Sequence, residues 1–581
     1  MKLYPRPDFE RFDSLILDGY WKFQFDDYEQ YTIEEMSDPS AYEKKILVPY
    51  PYQSRKSGIH DETFHDVVWY LNEFIVPKGF LEKRTLLKFG AVDYYSEVWL
   101  NDVKIGSHKG GYDPFYFDVT NVLKEKNVLV VRVVDKHGDQ PRGKQDSNPH
   151  PRGCRYMRVT GIWQPVWLEK VGDLYIENIR VYPRLSGEIE IGIEMNDVKP
   201  DARIFIDAYF YEGEVGSYSG PIETKNLNIK LNLDEIHAWD TEDPDIYSLM
   251  VRVENKEEVE DTVKSYFGLR EIKVSDGKIF LNGEPLYFQA VLEQGYYPDG
   301  IYTPNTLEDF LNDLNAVKEM GFNGVRAHQK PPDPRYLYFA DRLGVLVWDE
   351  MGDWGMTLTD ENIKDFLVQW KNIVIRDFNH PSIVAWVPFN ERDDAYNDPQ
   401  KQKLLALVYE ETKKLDPTRP IVDTSGYSHV KTDILDIHDY KDTRLTGRRF
   451  KKLWDEYKAG KREMPASGHL MSTAFEYQKQ PIIISEFGGW GIEGQEPIVK
   501  RPEWAYMLLS DKFDLERKYR DIVLAMADVP EIVGYCYTQL YDVEGELNGF
   551  LTYDRKWKVD PSKIKEANIE AYKRWLKNEK K

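Results

Sequence analysis

From about residue 273 onward, eight short apolar runs alternate with stretches of helical spacing, and this pattern limits the fold more than any other feature of the chain. The runs are LYFQAV (286–291), GVRAH (324–328), VLVWDE (345–350), IVAWVPFNE (383–391), IVDTS (421–425), ILDIHDY (434–440), PIIISEFG (481–488) and IVGYCYTQ (532–539). Between them, segments such as LEDFLNDLNAVKEMG (307–321) and QKLLALVYEETKKL (402–415) place apolar residues three and four apart. Strands that are apolar throughout belong to a parallel sheet covered on both faces. Eight strand–helix repeats of this kind predict one (β/α)8 TIM barrel over 273–581.

Before that point the period changes to two. VVWYLNEFIV (67–76), RTLLKFGAV (84–92), YSEVWLNDVKIG (95–106), NVLVVRVVD (127–135) and WQPVWLEKV (163–171) read as strands, with turn signals at Asn101-Asp102, Gly110-Gly111 and Asp113-Pro114. They predict a jelly-roll β-sandwich over 1–172. YIENIRVYPR (175–184), GEIEIGIEM (187–195), ARIFIDAYFY (202–211), NLNIKLNL (226–233) and YSLMVRVEN (247–255) predict an immunoglobulin-like β-sandwich over 173–272. That middle unit offers no catalytic-looking residue and reads as a spacer or brace. Three domains fit a chain of 581 residues.

Charge restricts the partners. Lys+Arg 77 against Asp+Glu 100 leaves a net −23, which repels phosphate backbones and anionic lipid, so neither nucleic acid nor membrane is expected. Cys154 and Cys536 fit no metal-ligand spacing and read as free thiols. The opening stretch MKLYPRPDFERFDSL has no apolar core of a leader, which points to the cytoplasm; a leader already removed would leave the same sequence and a periplasmic or secreted protein. With no phosphate loop, Cys cluster or H-E-x-x-H pattern, no cofactor or catalytic metal is expected, although a structural ion held by carboxylates is compatible. A homo-oligomer is compatible too, without a symmetric interface to read.

In a barrel of this type the chemistry sits at the C-terminal ends of the strands. Those ends are polar here: Arg326 and His328, Asp349 and Glu350, Asn390 and Glu391, His438 and Tyr440, Glu486, then Tyr537 and Gln539. Two carboxyl groups across a barrel mouth suit glycoside hydrolysis, one protonating the leaving oxygen and the other attacking the anomeric carbon. Glu391 and Glu486 are the best pair, each directly following an apolar strand. Glu350 reads either as a substrate contact or as an acid that orients Arg326.

NHPSIVAWVPFNE (379–391) resembles the signature of glycoside hydrolase family 2, and GFNGVRAHQKPPDPRYLYFADRLGVLVWDE (321–350) resembles that family's second and third barrel strands. AVDYYSEVWLNDVKIGSHKGGYDPFYFDVT and TGIWQPVWLE are similar to its sugar-binding sandwich, so the resemblance covers nearly the whole chain. It implies Glu391 as acid/base and Glu486 of SEFGG as nucleophile of a retaining mechanism, with the carboxyl groups about 5–5.5 Å apart. It further implies Asn390 on the sugar 2-hydroxyl and Tyr440 donating to the nucleophile. Arg326 would add a fixed charge there, and His328 would touch the sugar. His328 and His438 each read either as substrate contacts or as structural histidines, and His380 as structural. Glu486 is expected to ionise readily, and Glu391, with Trp386 and Phe389 near it in sequence, to keep its proton near neutral pH.

Two departures bear on the substrate. Where relatives carry an acid before TGIW, this chain has PRGCRYMRV; Lys136, Arg142, Lys144, Arg152, Arg155 and Arg158 stand against Asp135, Asp139 and Asp146. Arg155 of this stretch is a candidate contact to a sugar carboxylate or hydroxyls, with a solvated loop as the alternative. The eighth strand lacks the usual Trp, so Tyr537 and Gln539 become candidate contacts, and Trp490, Trp348 and Trp354 candidate floors for the sugar. Asp542 and Glu544 read as a surface loop. An aromatic share of 14% fits some rings lining a binding surface. No Asn-x-Lys pair of the kind that holds a uronate in the family's glucuronidases is visible. The resulting expectation is a retaining exo-β-glycosidase on a carbohydrate substrate, β-galactosidase-like by default. A β-glucuronidase or other uronidase is the alternative, and a non-catalytic carbohydrate-binding protein the reading from another class.

Overall fold

The computed structural model describes residues 3–579; Met1 and Lys2, where the stretch weighed above as a leader begins, lie outside it, as do the last two residues. In the N-terminal sandwich a six-stranded antiparallel sheet built around Val67–Ile75 and Lys126–Val134 packs on a four-stranded sheet containing Arg84–Phe89 and Val166–Val171. Alternate residues of both sheets, among them Phe23, Tyr70 and Val131 on one and Leu87, Phe89 and Leu168 on the other, form the core between them. The run 95–106, expected as one strand, is a hairpin of Tyr95–Leu100 and Val103–Lys109. Its turn is the Asn101-Asp102 pair, both at positive φ (52° and 68°), which matches the twist of paired strands.

The middle sandwich has a three-stranded sheet (Ile176–Pro183, Glu188–Met195, Asn226–Asn232) and a four-stranded one. Two of its strands, Gly213–Pro221 and Glu258–Phe267, were not expected from the sequence. They are the two edges of the four-stranded sheet, and edge strands carry the charge and glycine that hide the period-2 signal.

In the C-terminal barrel the strands are β1 (Phe288–Glu293), β2 (Gly324–Ala327), β3 (Leu346–Glu350), β4 (Ile383–Val387), β5 (Leu435–His438), β6 (Ile482–Gly488) and β7 (Ile532–Thr538). They form one parallel sheet in the order β4-β3-β2-β1-β7-β6-β5. The run 421–425, expected as a further strand, occupies the gap between β4 and β5 without a ladder. It meets β4 at one isolated bridge, Trp386 with Ile421, and the segment just past β4 at another, Asn390 with Ser425. Toward β5 its contact passes through Asp436, whose carboxylate accepts from Ser425 Oγ and from the Gly426 amide at 3.2 Å. Side chains of β1–β7 divide between two faces, with the alternation reset inside β4 and β6 where the ladder shifts register. Phe288, Trp348, Val384, Ile483 and Cys536 fill the barrel interior, whereas Val325, Trp386, Phe487 and Tyr537 pack outward against the helices.

The three units are not beads on a string. Tyr112, Tyr156 and Trp163 of the first sandwich belong to the same apolar core as Tyr296 and Tyr302 of the barrel, with Trp163 edge-on to Tyr302 at 5.1 Å. The middle sandwich is bolted to the barrel by Tyr266, whose hydroxyl donates to Asp341 at 2.8 Å, a carboxylate that His380 Nδ1 also approaches at 2.6 Å. His380 serves this joint, away from the barrel mouth.

Between the two sandwiches lies a buried charge cluster. Arg11 reaches Glu169 at 2.5 Å and Asp261 at 2.8 Å, and Lys88 reaches Glu169 at 2.8 Å. Burial alone would raise the Glu169 carboxyl, but Lys88 and Arg11 outweigh it and hold the group well below the carboxylate range. With the folded value depressed, the stabilisation is complete above the unfolded value, near pH 4.3, and is lost as pH falls below it. Glu169→Gln is therefore expected to lower the calorimetric transition midpoint at pH 7, by an amount worth about 3–5 kcal/mol, and its deficit against the parent should narrow toward pH 3.

Candidate active site

Arg326, inward on β2, is the hub of the barrel mouth. Its guanidinium donates to Glu350 at 2.7 Å, to Glu486 Oε1 at 2.8 Å and to Asn390 Oδ1 at 2.7 Å. Glu350 is fully buried and accepts also from the Gln329 amide at 3.1 Å, with His328 Nδ1 at 2.9 Å. It thus orients the hub, and burial pushes its carboxyl up to about 7 despite Arg326. On the far side Tyr440 donates to Glu486 Oε2 at 2.6 Å, is within 2.9 Å of Thr538 Oγ1, and stacks on Tyr506 at 3.6 Å.

His438 stands between the two carboxylates. Its Nδ1 lies 2.7 Å from Glu391 and its Nε2 3.4 Å from Glu486, while Tyr427 packs edge-on against its ring at 5.5 Å. Gly426, at φ +86°, lets the chain pass behind the ring; a Cβ there would sit 2.3 Å from it. Ligand atoms of Glu391, His438 and Glu486 all lie within 4.8 Å of one another. The ladder is irregular here on both sides of β6, at Asp436/His438 and at Ile484/Phe487, and such bulges re-aim side chains at strand ends. Glu391 itself has φ +52°, a conformation rare for a residue with a Cβ and held by the hydrogen bond that its amide N–H donates to Ser425 O at 2.9 Å.

The electrostatics of the mouth act on Glu486. Burial opposes ionisation of Glu486, yet His438, Arg326, His328 and Lys144 outweigh it and hold the carboxyl well below its ordinary range. Burial and the adjacent Glu486 charge keep Tyr440 protonated, so it remains a donor. Glu391 is about a fifth exposed, open to the approach of a leaving group. Asn390 accepts from Arg326 through its oxygen and leaves its Nδ2 buried without a partner among the described residues, a donor free for a ligand.

Domain models of the glycosyl hydrolases family 2 match in series: the sugar binding domain over 15–171, the family 2 domain over 174–270 and the TIM barrel domain over 272–500. The chain belongs to glycoside hydrolase family 2. It is a glycoside hydrolase acting on O-glycosyl bonds. Within the family it is 26% identical to a β-glucuronidase of Paenibacillus borealis over 533 residues, 86% of this chain and 87% of that one. It is 28% identical to a β-galactosidase of Thermoanaerobacter pseudethanolicus over 445 residues, 73% of this chain but only 56% of the longer relative. The solved β-D-glucuronidase of Dictyoglomus thermophilum superposes with a TM-score of 0.75 at 20% identity, covering 100% of this chain and 99% of that one.

Several rings expected as sugar contacts or floors, in place of the missing strand-eight Trp, do not reach the mouth. Tyr537 follows the inward Cys536 and so points outward, stacked on Phe550 at 4.1 Å. Trp490 is fully buried against Phe487 and Tyr537, and Trp348 lies below the site, stacked on Phe288 at 5.3 Å. Trp354 is the tryptophan at the mouth: edge-on to His328 at 6.4 Å, it donates to Asn390 O at 3.1 Å. Gln539 is buried and donates to Asn548 at 2.8 Å, and its Oε1 has no partner among the described residues. Nor is Glu391 set among Trp386 and Phe389. Trp386 donates to Asp416 at 2.8 Å and Phe389 stacks on Phe366 at 4.7 Å, both on the outer side of the strand.

The basic stretch is divided by the fold. Arg158 is buried in an ion pair with Asp135 at 3.0 Å, Arg142 caps the His137 and Gly138 carbonyls, Lys136 pairs with exposed Glu29, and Arg152 is exposed. Arg155 and Lys144 reach the mouth, 4.5 and 4.9 Å over the Trp354 ring. Asp542 and Glu544 are buried, not a surface loop, and Glu544 accepts from the Met157 amide at 2.8 Å. Sequence reasoning passed over Tyr506, Tyr427 and Glu546, the last accepting from Tyr156 beside Lys144; all three sit in irregular loops without a period to mark them.

Proposed function

We propose that this chain is a retaining exo-β-glycosidase whose substrates are β-glucuronides or related uronides. The observation that carries the chemistry is the spacing of the two acids: an oxygen of Glu391 lies within 4.8 Å of one of Glu486, close to the roughly 5–5.5 Å of retaining sites and short of the 6.5–9.5 Å that leaves room for a water. In the first step Glu486 attacks the anomeric carbon as the glycosidic bond breaks, and the Glu391 proton passes to the departing oxygen. In the second, Glu391 takes a proton from water, whose oxygen displaces Glu486 and frees it again as a carboxylate. Asn390 Nδ2 is placed to meet the 2-hydroxyl, where a hydrogen bond strengthens as the ring gains oxocarbenium character. Two carboxyl groups suffice for this reaction, and no cofactor enters it.

The sugar is read from two sides. The β-glucuronidase of Paenibacillus borealis is matched over 87% of its length, whereas the β-galactosidase relative is matched over 56% of its own. Two cationic groups, moreover, Lys144 and Arg155, stand over Trp354 at the mouth, where they suit a carboxylate. The glucuronide reading therefore fits better than the galactoside default. Hydrolysis of 4-nitrophenyl β-glycosides followed by proton NMR is expected to release the β-anomer first and to proceed with the highest kcat/KM on the glucuronide. Initial release of the α-anomer would overturn the retaining mechanism; preference for the galactoside would overturn the uronide.

A further inference from the structure

Lys144 is the one basic side chain of the 136–158 stretch that is buried at the mouth without an ionic partner. It is 6% exposed, and among the described residues its ammonium makes no hydrogen bond or ion pair. Its nearest features are rings, Trp354 at 4.9 Å and Tyr156 at 5.9 Å. The ammonium keeps a little solvent access, yet a cation held mostly out of water with no anion is costly, and cores supply one wherever the charge is structural. The neighbouring Arg158 shows that solution, with Asp135 and Asp66 around it.

The position of Lys144 is also built. Arg142 N donates to Trp354 O at 2.9 Å and Gly143 N to Gly352 O at 3.0 Å, tying the sandwich loop to the loop after β3. Tyr156 N donates to Lys144 O at 2.9 Å from the other side. Gly143 is at φ +56°, and a Cβ there would lie 2.2 Å from Gln329 O, so the close approach depends on glycine. Burial would lower the Lys144 ammonium, but Cys154, Glu546, Glu486 and Glu391 outweigh it and keep the group charged. The Trp354 ring beneath it, bonded to Asn390 O and edge-on to His328, places the ammonium at the barrel mouth.

We infer that Lys144, delivered from the first sandwich and flanked by Arg155, is the cation that receives the carboxylate of a uronic acid in the barrel. This rests on the uronide reading above and gives it a residue that the Asn-x-Lys pattern does not. Lys144→Met keeps the length and apolar stem of the side chain and removes the charge. The expected result is a loss of roughly 100-fold in kcat/KM on 4-nitrophenyl β-glucuronide, as for a charged hydrogen-bond donor removed from a buried site, against a far smaller change on the corresponding β-glucoside. The ratio of the two is the readout, since misfolding would lower both together. Inhibition by free glucuronate relative to glucose should shift in parallel, and Lys144→Arg should restore part of the ratio.

An equal loss on both substrates, with the glucuronate-to-glucose inhibition ratio unchanged, would make Lys144 a positioning residue and overturn the assignment while leaving the uronide reading intact. A parent enzyme that hydrolyses galactosides or glucosides but no uronide would overturn the uronide reading, and the assignment with it.

Discussion

Glu486→Ala is expected to abolish turnover of 4-nitrophenyl β-glucuronide, with kcat falling by roughly 10⁵-fold or more, the scale on which removal of a covalent nucleophile is felt. The fold should survive, because Arg326 keeps its bonds to Glu350 and Asn390 when Glu486 is shortened. Azide supplied to this variant can enter from the vacated side, so an α-glycosyl azide should form from a substrate with a good leaving group. Stopped assays with product identification by NMR separate the outcomes: substantial residual hydrolysis, or an azide adduct of β configuration, would assign the nucleophile elsewhere.

Glu391→Ala should behave in the opposite sense. Loss of a general acid costs roughly 10²–10⁴-fold where the leaving group needs a proton, as with an alkyl glycoside, and little in the first step where it does not, as with a dinitrophenyl glycoside. With Glu486 intact, the glycosyl-enzyme still forms from the activated substrate and then waits for a water that nothing deprotonates. A pre-steady-state burst followed by slow turnover is expected, and azide should yield the β-glycosyl azide. His438, 2.7 Å from Glu391 in the parent, keeps its contact with Ser425 at 3.1 Å, which holds the ring while the acid is absent. Equal losses for good and poor leaving groups would argue against Glu391 as the acid.

Much of the site was readable before any fold was known, because an apolar strand that ends in a charge must deliver that charge somewhere dry. Arg326, Glu391, His438, Tyr440 and Glu486 are all found by that rule, and the structure gathers them around one mouth. The rule fails for Tyr537, which is polar-tipped and terminal but of the wrong parity: Cys536 points inward, so Tyr537 cannot. It fails also for Trp386 and Phe389, since nearness in sequence to Glu391 places them on the outer face. The six basic residues of 136–158 look alike as letters. Only the fold sorts Arg158, neutralised by Asp135, from Lys144, which is left facing the site. In the middle sandwich the two overlooked strands were edges, where selection against aggregation erases the alternation that marks a strand.

The apolar core that runs without a break from Tyr112 and Trp163 into Tyr296 and Tyr302 has a consequence for how such a protein can change. A barrel cut free of its first sandwich would expose aromatic surface along one flank and would lose Lys144 and Arg155 from its mouth in the same stroke. Selectivity and foldedness are thus written into the same contact. Exchanging sandwiches between relatives amounts to surgery on the enzyme's heart, whereas new preferences are open to point changes in the strand-joining loop that carries Lys144, which the surrounding scaffold already holds in place.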